Sequence, residues 1–353
     1  MIPEHWLQAA LSPPFAFGGP LGNGVLRASP EDFVVDEVLG FEAAGAGPHA
    51  LLHVRKRGAN TEWVARELAR AAGCKPFEVG FAGLKDRNAV TTQFFTVPRG
   101  KRAAQEFLAV KGEGFEVIAS AEHQRKLPRG ALAGNRFDIR VREFTVDAQL
   151  LRQRLEQIAA QGVPNYFGPQ RFGREAGNLA AVLTAAQAGG RMRRDRDRGG
   201  DQGFVLSAAR SVVFNAILAE RVTAGSWNRL EAGDVANLDG RGSVFKVDAV
   251  DEELTARCLR GELHPTAPMV GEGESLASGA VAALEERVQL RFGEVLTVVR
   301  AQRMSSERRA LRIAVRGLEH EFGEGTLRLR FTLPAGAFAT VVLRELARAD
   351  GEG

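Results

Sequence analysis

Residues 137–142, FDIRVR, alternate apolar and polar side chains at every position. One face of this stretch carries Phe137, Ile139 and Val141, and the other face carries Asp138, Arg140 and Arg142. A period of two is typical of a β-strand with one buried and one exposed face. The same alternation returns far along the chain in residues 326–333, TLRLRFTL. Both stretches therefore predict strands.

Helical and strand patterns are mixed on either side of these two strands. Further strands are predicted at 33–38 (FVVDEV) and 50–55 (ALLHVR), and other apolar runs lie at 78–83 and 93–97. Helices are predicted from Asn60 or Thr61 to Gly73, at 148–161, at 207–222 with Ser207 as the N-cap, and at about 338–349. This mixture predicts an α/β (α+β) fold.

The middle of the chain differs in composition from both ends. The 353 residues are enough for two domains. Residues 189–203, GGRMRRDRDRGGDQG, predict a solvated loop or a flexible segment that faces RNA, and residues 271–279, GEGESLASG, form another turn-rich break. We therefore predict one domain from residues 1–173 and 309–353, with a second domain, residues 174–308, inserted into it.

Composition disfavours several classes of protein. No run of about 18 apolar residues is present, so no membrane span is predicted. The opening stretch carries Glu4, and prolines stand where a signal peptide needs its apolar run, so we expect a cytoplasmic protein. Cys74, Cys258 and six scattered histidines predict neither a disulfide framework nor a metal site. Without a long heptad pattern or a long apolar edge segment, we expect a monomer.

Positive charge is concentrated in two parts of the chain. Residues 97–142 contain ten Lys/Arg against five Asp/Glu, and residues 165–198 contain seven against three. Arginine supplies most of this charge, and its planar guanidinium suits phosphate oxygens. Such clusters favour a polyanionic partner. Arginine, alanine and glycine richness is also typical of a GC-rich genome, so composition alone leaves both interpretations open.

The stretch FAGLKDRNAVTTQ, residues 81–93, contains a candidate catalytic carboxylate. An apolar strand leads into a glycine turn, and Asp86 is flanked by Lys85 and Arg87. Neighbouring positive charge favours the ionised form of a carboxylate that acts as a nucleophile or base. Taken alone, a Lys-Asp-Arg triplet is more often an exposed turn.

Two other stretches combine aromatic, glycine and basic residues. NYFGPQRFG (165–173) contains the only tyrosine, Tyr166, together with Phe167 and Arg171, and predicts a surface that stacks on bases or binds phosphate. A tight turn with aromatic residues in the core is the alternative. LPAGAFATVVLRELAR (333–348) presents Phe338 at the start of a predicted helix, where free N–H groups can bind an anion.

Together these stretches resemble the TruD family of pseudouridine synthases, which modify the uridine at position 13 of tRNA. The resemblance extends to GVLRASPEDFVVDE (24–37), HQRKLPRGALAGNRF (123–137), LSAARSVVFNAILAERV (206–222) and LDGRGSVF (238–245). It implies a pseudouridine synthase catalytic domain with a mixed, largely antiparallel sheet, built from both ends of the chain. An α/β domain characteristic of the family would be inserted after NYFGPQRFG.

The resemblance also implies roles for single residues around the target base. Asp86 would be the essential aspartate. Phe137 would stand where related synthase families place a tyrosine against the base, although its strand face also suits burial in the core. Asn135 would hold the flipped nucleotide, and Phe33 and Phe338 would help to form the pocket wall.

Basic residues would complete this site. Arg27 stands where the family commonly has lysine, which keeps the charge, whereas Ala337 stands where serine is frequent, which removes a hydroxyl group. Lys85, Arg27 and Arg87 are candidates for orienting Asp86 or neighbouring phosphates, and Arg171 is a candidate for binding the RNA.

Pseudouridine formation is an isomerisation, so the resemblance implies tRNA as the partner and no cofactor. Asp86 could attack C1′ or C6 of the uridine, or assist removal of the C2′ proton. Three rival functions remain at this point: the same chemistry on another RNA, a non-catalytic RNA-binding or tRNA-folding protein, and a glycoside hydrolase. The last usually needs two carboxylates, and no partner for Asp86 is evident near it in the sequence.

Overall fold

The computed structural model describes residues 1–192, 201–240 and 242–350, and it has a mixed α/β architecture. The helices are α1 (Glu4–Leu11), α2 (Thr61–Ala72), α3 (Ala148–Gln161), α4 (Gly177–Gln187), α5 (Asp201–Thr223), α6 (Glu252–Leu259), α7 (Gly279–Leu290), α8 (Gly293–Ala301) and α9 (Thr340–Leu343). The strands are β1 (Gly22–Leu26), β2 (Phe33–Val38), β3 (His49–Arg57), β4 (Gly80–Phe81), β5 (Val90–Pro98), β6 (Lys111–Gly112), β7 (Phe115–His123), β8 (Gly134–Arg142), β9 (Val163–Pro164), β10 (Val235–Leu238), β11 (Val244–Lys246), β12 (Leu263–Met269), β13 (Glu307–Ala310), β14 (Arg312–Ile313), β15 (Arg316–Gly323), β16 (Thr326–Pro334) and β17 (Ala347–Asp350).

Local sequence explains the limits of the helices that lie near their predicted positions. The carboxylate of Asp147 accepts hydrogen bonds from the N–H groups of Gln149 and Leu150, which caps the start of α3. Gly73 follows α2 with a φ of 69°, a left-handed conformation that glycine adopts without steric cost. These two helices confirm the patterns of apolar residues and end signals in the sequence.

The large sheet combines strands from both ends of the chain. Its main path runs β15–β16–β8–β2–β5–β3–β7–β6, while β1 bonds to β8 and β17, and β4 bonds to β5. The pairs β2–β5 and β1–β17 are parallel, and the other pairs are antiparallel. Strand β8 lies between β2 and β16, so Phe137 stands opposite Val35 on one side and Phe331 on the other.

A second sheet comes from the middle of the chain, with the strand order β11–β10–β12–β13, and β9 pairs with β14 as a short ladder. The main apolar cluster includes residues of the large sheet together with α1, α5 and α8, so it crosses both predicted domain boundaries. A second cluster joins α2 to β3, β5 and β7. The division at residues 174 and 308 therefore stays a prediction.

Helix α5 is the described segment whose length and mean hydropathy would allow it to cross a membrane. Two observations identify it as a core helix of this fold. Of its most apolar stretch of 18 residues, 67% is buried inside the protein. It also packs against α1, α4, α7 and α8. Burial inside the protein accounts for its apolar character.

Two predicted helices differ from the structure. The helix expected from Ser207 begins earlier, at Asp201, so Ser207 lies inside α5, where its hydroxyl accepts a hydrogen bond from Arg171. The predicted loop 189–203 thus ends in a helix, and residues 193–200 of it lie outside the described residues.

The helix predicted at about 338–349 is wrong over most of its length. Only Thr340–Leu343 are α-helical, and Ala347–Asp350 form β17, which pairs with β1. The carboxylate of Glu345 accepts hydrogen bonds from the N–H groups of Ala16 and Phe17, and Leu346 O accepts one from Leu21. These long-range contacts outweigh the local helix propensity of the segment.

Candidate functional site

Asp86 lies in the loop between β4 and β5, and its side chain is 58% exposed. The loop beneath it is held by buried polar groups. Thr61 Oγ1 accepts a hydrogen bond from the N–H of Lys85 and donates one to Gln93 Oε1, while Gln93 Nε2 donates to Gly83 O at 2.9 Å. The exposed carboxylate therefore stands on a fixed backbone.

Lys56 supports the same loop from the interior. Its side chain lies at the end of β3 with 1% exposure, and its Nζ donates to Ala59 O at 3.0 Å, Lys85 O at 3.2 Å and Asp86 O at 2.9 Å. Burial lowers the pKa of Lys56 to about 8, although the negative charge of Asp86 acts in the opposite direction. Lys56 was not among the residues predicted from the sequence.

Lys85 does not contact Asp86 through its side chain. Its Nζ forms a buried ion pair with Glu37 Oε1 at 2.8 Å, and Glu37 Oε2 accepts a hydrogen bond from Phe94 N. Arg87, another candidate for orienting Asp86, instead donates from Nε to Gly58 O at 3.0 Å. Lys85 and Glu37 thus tie the loop to β2.

Arg27 is the predicted basic residue that reaches the carboxylate. Its Nη2 lies 3.0 Å from Asp86 Oδ2, and its guanidinium lies 4.2 Å from the centroid of the Phe33 ring. Arg27 follows β1 with a φ of 57°, which is unusual for a residue other than glycine. Backbone strain of this kind is tolerated where surrounding contacts fix the conformation.

Aromatic rings continue from Arg27 into the sheet. The centroids of Phe33 and Phe137 are 6.3 Å apart in an edge-to-face arrangement, and Phe137 stacks on Phe331 at 5.4 Å. Phe33 is 4% exposed and Phe137 is 6% exposed, so both rings belong largely to the core. Only a small part of each ring is available to a ligand.

Asn135 lies on β8 opposite Glu37 of β2, which places it beside the Lys85–Glu37 ion pair. Its side chain is 9% exposed, and its Oδ1 has no hydrogen-bond partner among the described residues. A buried acceptor without a donor is uncommon in folded proteins and costs about 1–3 kcal/mol. A ligand that supplies a donor would satisfy this oxygen.

The two remaining predicted residues, Phe338 and Arg171, lie on other segments of the chain. Phe338 is half-buried in the loop after β16, and Ala335 N in this loop donates to Ala133 O, two residues before Asn135. Arg171 donates to Ser207 Oγ at 3.0 Å, and its guanidinium lies 5.1 Å from the ring of Phe167. The structure therefore brings Asp86, Arg27, Lys85, Phe33, Phe137 and Asn135 into one continuous neighbourhood, with Phe338 beside it and Arg171 on another segment.

The aromatic residues of NYFGPQRFG do not form the stacking surface that the sequence predicts. Tyr166 is 1% exposed and Phe167 is 5% exposed, so both side chains are core residues and the alternative interpretation of this turn is the correct one. Burial also raises the pKa of Tyr166 far above its usual value. Of the predicted surface, Arg171 keeps a partly exposed side chain.

The exposed side chain of Asp86 lines neither of two cavities found elsewhere in the described part of the chain. Cavities of about 550 and 510 Å³ are lined by residues of other parts of the fold, such as Glu272 and Arg308 in the first and Arg257 and Arg316 in the second. Neither includes a predicted site residue. An exposed carboxylate beside one guanidinium, aromatic edges and an unpaired amide oxygen can serve as a nucleophile or base toward a large substrate.

The sequence matches the family described as tRNA pseudouridine synthase D (TruD) over residues 15–184 and 202–346. It is 45% identical over 341 residues to the tRNA pseudouridine synthase D of Methylococcus capsulatus, with 96% of this chain and 95% of that protein covered. The corresponding protein of Nitrosococcus oceani is 44% identical over 338 residues, with 94% and 93% covered. A solved structure from Methanosarcina mazei, described as a putative tRNA pseudouridine synthase D, has the same fold, with a TM-score of 0.70, 23% identity and 99% of both chains covered.

Proposed function

The chain belongs to the TruD family of tRNA pseudouridine synthases, and from that premise we propose that it isomerises uridine 13, in the D-arm of tRNA, with Asp86 as the catalytic carboxylate. Its class as a tRNA-modifying isomerase follows from the family. The position in the tRNA and the residue that carries the chemistry are the content of the proposal.

The reaction breaks the N1–C1′ bond of the uridine and forms a C5–C1′ bond, and at the end C5 loses its proton while the freed N1 carries one. No atom is gained or lost overall. A carboxylate can begin this sequence by attack at C1′, by attack at C6 or by taking the C2′ proton, and all three require an ionised oxygen beside the sugar and base.

The observation that carries the proposal is the environment of Asp86. Its carboxylate is exposed to the solvent side, yet it is oriented by Arg27 at 3.0 Å and stands on a loop fixed by Lys56 and Thr61. An oriented and accessible anion supports a role as nucleophile or base.

The neighbouring side chains suit a flipped base. A target inside a helical arm must leave its stack before an enzyme can reach its sugar and ring atoms. The unpaired Oδ1 of Asn135 is an acceptor for the N3–H of uracil, and the exposed edges of Phe33, Phe137 and Phe338 supply apolar wall. Because Phe137 is 6% exposed, we propose edge contact rather than full stacking for this ring.

The test compares the wild-type protein with Asp86→Asn, which keeps the size of the side chain, and with Asp86→Ala. Asp248→Asn is the matched control, because Asp248 is an exposed loop aspartate for which the described residues contain no ion-pair partner. Chemical mapping of pseudouridine on unmodified tRNA would give product and position, and a binding assay would follow RNA affinity in parallel.

We expect wild type and Asp248→Asn to modify uridine 13. Both Asp86 variants should bind tRNA and lose activity by about 10²–10⁴-fold, a typical effect of removing a general acid or base. Wild-type activity in an Asp86 variant would overturn the catalytic assignment. Product at another uridine would overturn the position, and RNA binding without product from the wild type as well as from every variant would favour the non-catalytic alternative.

A further inference from the structure

Two arginines from distant parts of the chain approach the same buried ring. The Cζ atoms of Arg309 and Arg171 lie 4.1 Å and 5.1 Å from the centroid of Phe167. Among the described residues, neither guanidinium has a carboxylate within ion-pairing distance. The buried arginines Arg221 and Arg308, by contrast, pair with Asp234 and Glu285 at 2.9 Å and 2.8 Å.

The hydrogen bonds of Arg309 are incomplete. Its Nη2 donates to Asn165 Oδ1 at 2.5 Å and to Gly336 O at 3.3 Å, while its Nε is buried without a partner in the described part of the chain. Arg312 also lacks a carboxylate there, yet all three of its nitrogens donate to His264 or to backbone carbonyls.

The positive charges of Arg309 and Arg171 interact unfavourably in this structure. Burial lowers the pKa of Arg309 to about 9, and the positive charge of Arg171 acts in the same direction. Burial also lowers the pKa of Arg171. Two like charges with few counter-charges repel each other, and an anion beside them would relieve this repulsion. Guanidinium groups bind phosphate oxygens with particular strength.

The pair adjoins the proposed site. Arg309 contacts Gly336, which belongs to the loop that carries Phe338, and the same loop bonds to Ala133 beside the Asn135 strand. This inference rests on the proposed function, because it requires the RNA strand that delivers its uridine to Asp86 to pass near this loop. We propose that Arg309 and Arg171 form a binding site for phosphate of that RNA backbone.

The experiment measures the dissociation constant for unmodified tRNA as a function of salt, with Arg309→Gln and Arg171→Gln. Each lost phosphate contact should reduce the slope of log Kd against log salt by about one. Arg260→Gln removes the same charge from a guanidinium that already pairs with Glu262 at 2.6 Å, so it controls for net charge alone.

We expect each pair variant to lower the slope by about one and to raise Kd by about tenfold at physiological salt. KM should rise with Kd, while kcat at saturating tRNA stays near the wild-type value. Arg260→Gln should leave the slope unchanged. A structural role for Arg309 would lower thermal stability without moving the salt slope, and that result would overturn the proposal.

A second variant and a second ligand make the test specific. Arg171→Gln keeps the proposal testable if Arg309→Gln fails to fold, because the Arg171 guanidinium donates to a single described side chain, Ser207. If inorganic phosphate stabilises wild type but not the variants and the tRNA slope is unchanged, the pair binds a free anion and the assignment to RNA is wrong. Because the salt slope reports RNA binding and not product formation, it tests this site even if Asp86 proves not to be catalytic.

Discussion

At the scale of single residues, the buried side chain of Lys56 holds the backbone of the Asp86 loop from the interior of the protein. Its ammonium group supplies three donors, and three carbonyls, two of them in the Asp86 loop, accept them. Lys56→Met should leave these carbonyls without a donor, lowering the free energy of unfolding by about 1–3 kcal/mol. It should also lower kcat by about tenfold or more, because Asp86 loses its fixed position.

The affinity for tRNA separates a positioning role from a binding role. Lys56 is 1% exposed and cannot touch RNA, so KM should stay near the wild-type value when kcat is measured well below the melting temperature. Lys111→Met, at an exposed lysine of β6, is the control. In the wild type, kcat should also fall as pH rises through about 8, since a neutral amine has only two N–H donors for three carbonyls. A Lys56→Met variant with the wild-type kcat, or one in which only KM rises, would contradict this role.

The position of Lys56 could have been found in the sequence. Strand β3 alternates, and Ala50, Leu52 and Val54 all point to the buried side, so the next inward position is Lys56. A lysine in such a place needs acceptors, which is a functional signal. The ion pair of Lys85 with Glu37 had no comparable signal, because its partners are 48 residues apart and come together only when β2 pairs with β5.

At the scale of elements, the turn before β2 is tied to β8 by one carboxylate. Asp32 is fully buried, and it accepts hydrogen bonds from Ser29 N at 2.9 Å and from Arg142 Nε and Nη2 at 2.9 and 2.7 Å. This turn delivers Phe33 to the site. Asp32→Asn should lower the free energy of unfolding by about 1–3 kcal/mol at pH 7, since charge-assisted bonds are lost. Asp248→Asn should have no comparable effect.

The stabilisation that Asp32 provides should decrease as pH falls. The hydrogen bonds from Arg142 hold the pKa of Asp32 below its usual value, so the unfolded chain takes up the proton first as pH falls. The stabilisation is fully present above the unfolded value of about 3.9 and is lost as pH falls through the lower folded value. Urea unfolding at pH 7, 4 and 3 should show the difference between wild type and Asp32→Asn shrinking. A difference that grows at low pH would refute this account.

Elements whose limits depend on local signals were predictable, and those that depend on distant partners were not. The alternation of 137–142 gave β8, and the helical spacing of Leu151, Leu155 and Ile158 gave α3, both close to their observed bounds. Strand β17 could not be predicted, because its conformation is set by parallel pairing with β1, more than 300 residues earlier in the chain. The same limit applies to Arg309, whose approach to Arg171 and Phe167 arises only when β13 is in place.

At the scale of the whole molecule, the site lies where two apolar clusters meet. The cluster of α2, β3, β5 and β7 supports the loop that carries Asp86, and the main cluster contains Phe33 and Phe137. Arg27 joins the two sides through its contacts with Asp86 and Phe33. Relative movement of the clusters would separate the carboxylate from the aromatic wall, so activity should depend on their being held as one unit.

Contacts within the main cluster indicate that the middle of the chain does not unfold independently of the two ends. Trp6 of α1 is fully buried and stacks on Phe292 at 5.7 Å, and Asn215 of α5 donates to Ala9 O. Trp6→Ala should therefore lower the stability of the whole protein by about 3–5 kcal/mol. Calorimetry should show one transition at a lower temperature, while Leu11→Ala, at a side chain that is exposed on the same helix, should change little. A separate early transition would mean that residues 174–308 fold as an autonomous unit and that the contact with α1 contributes little to the coupling between them.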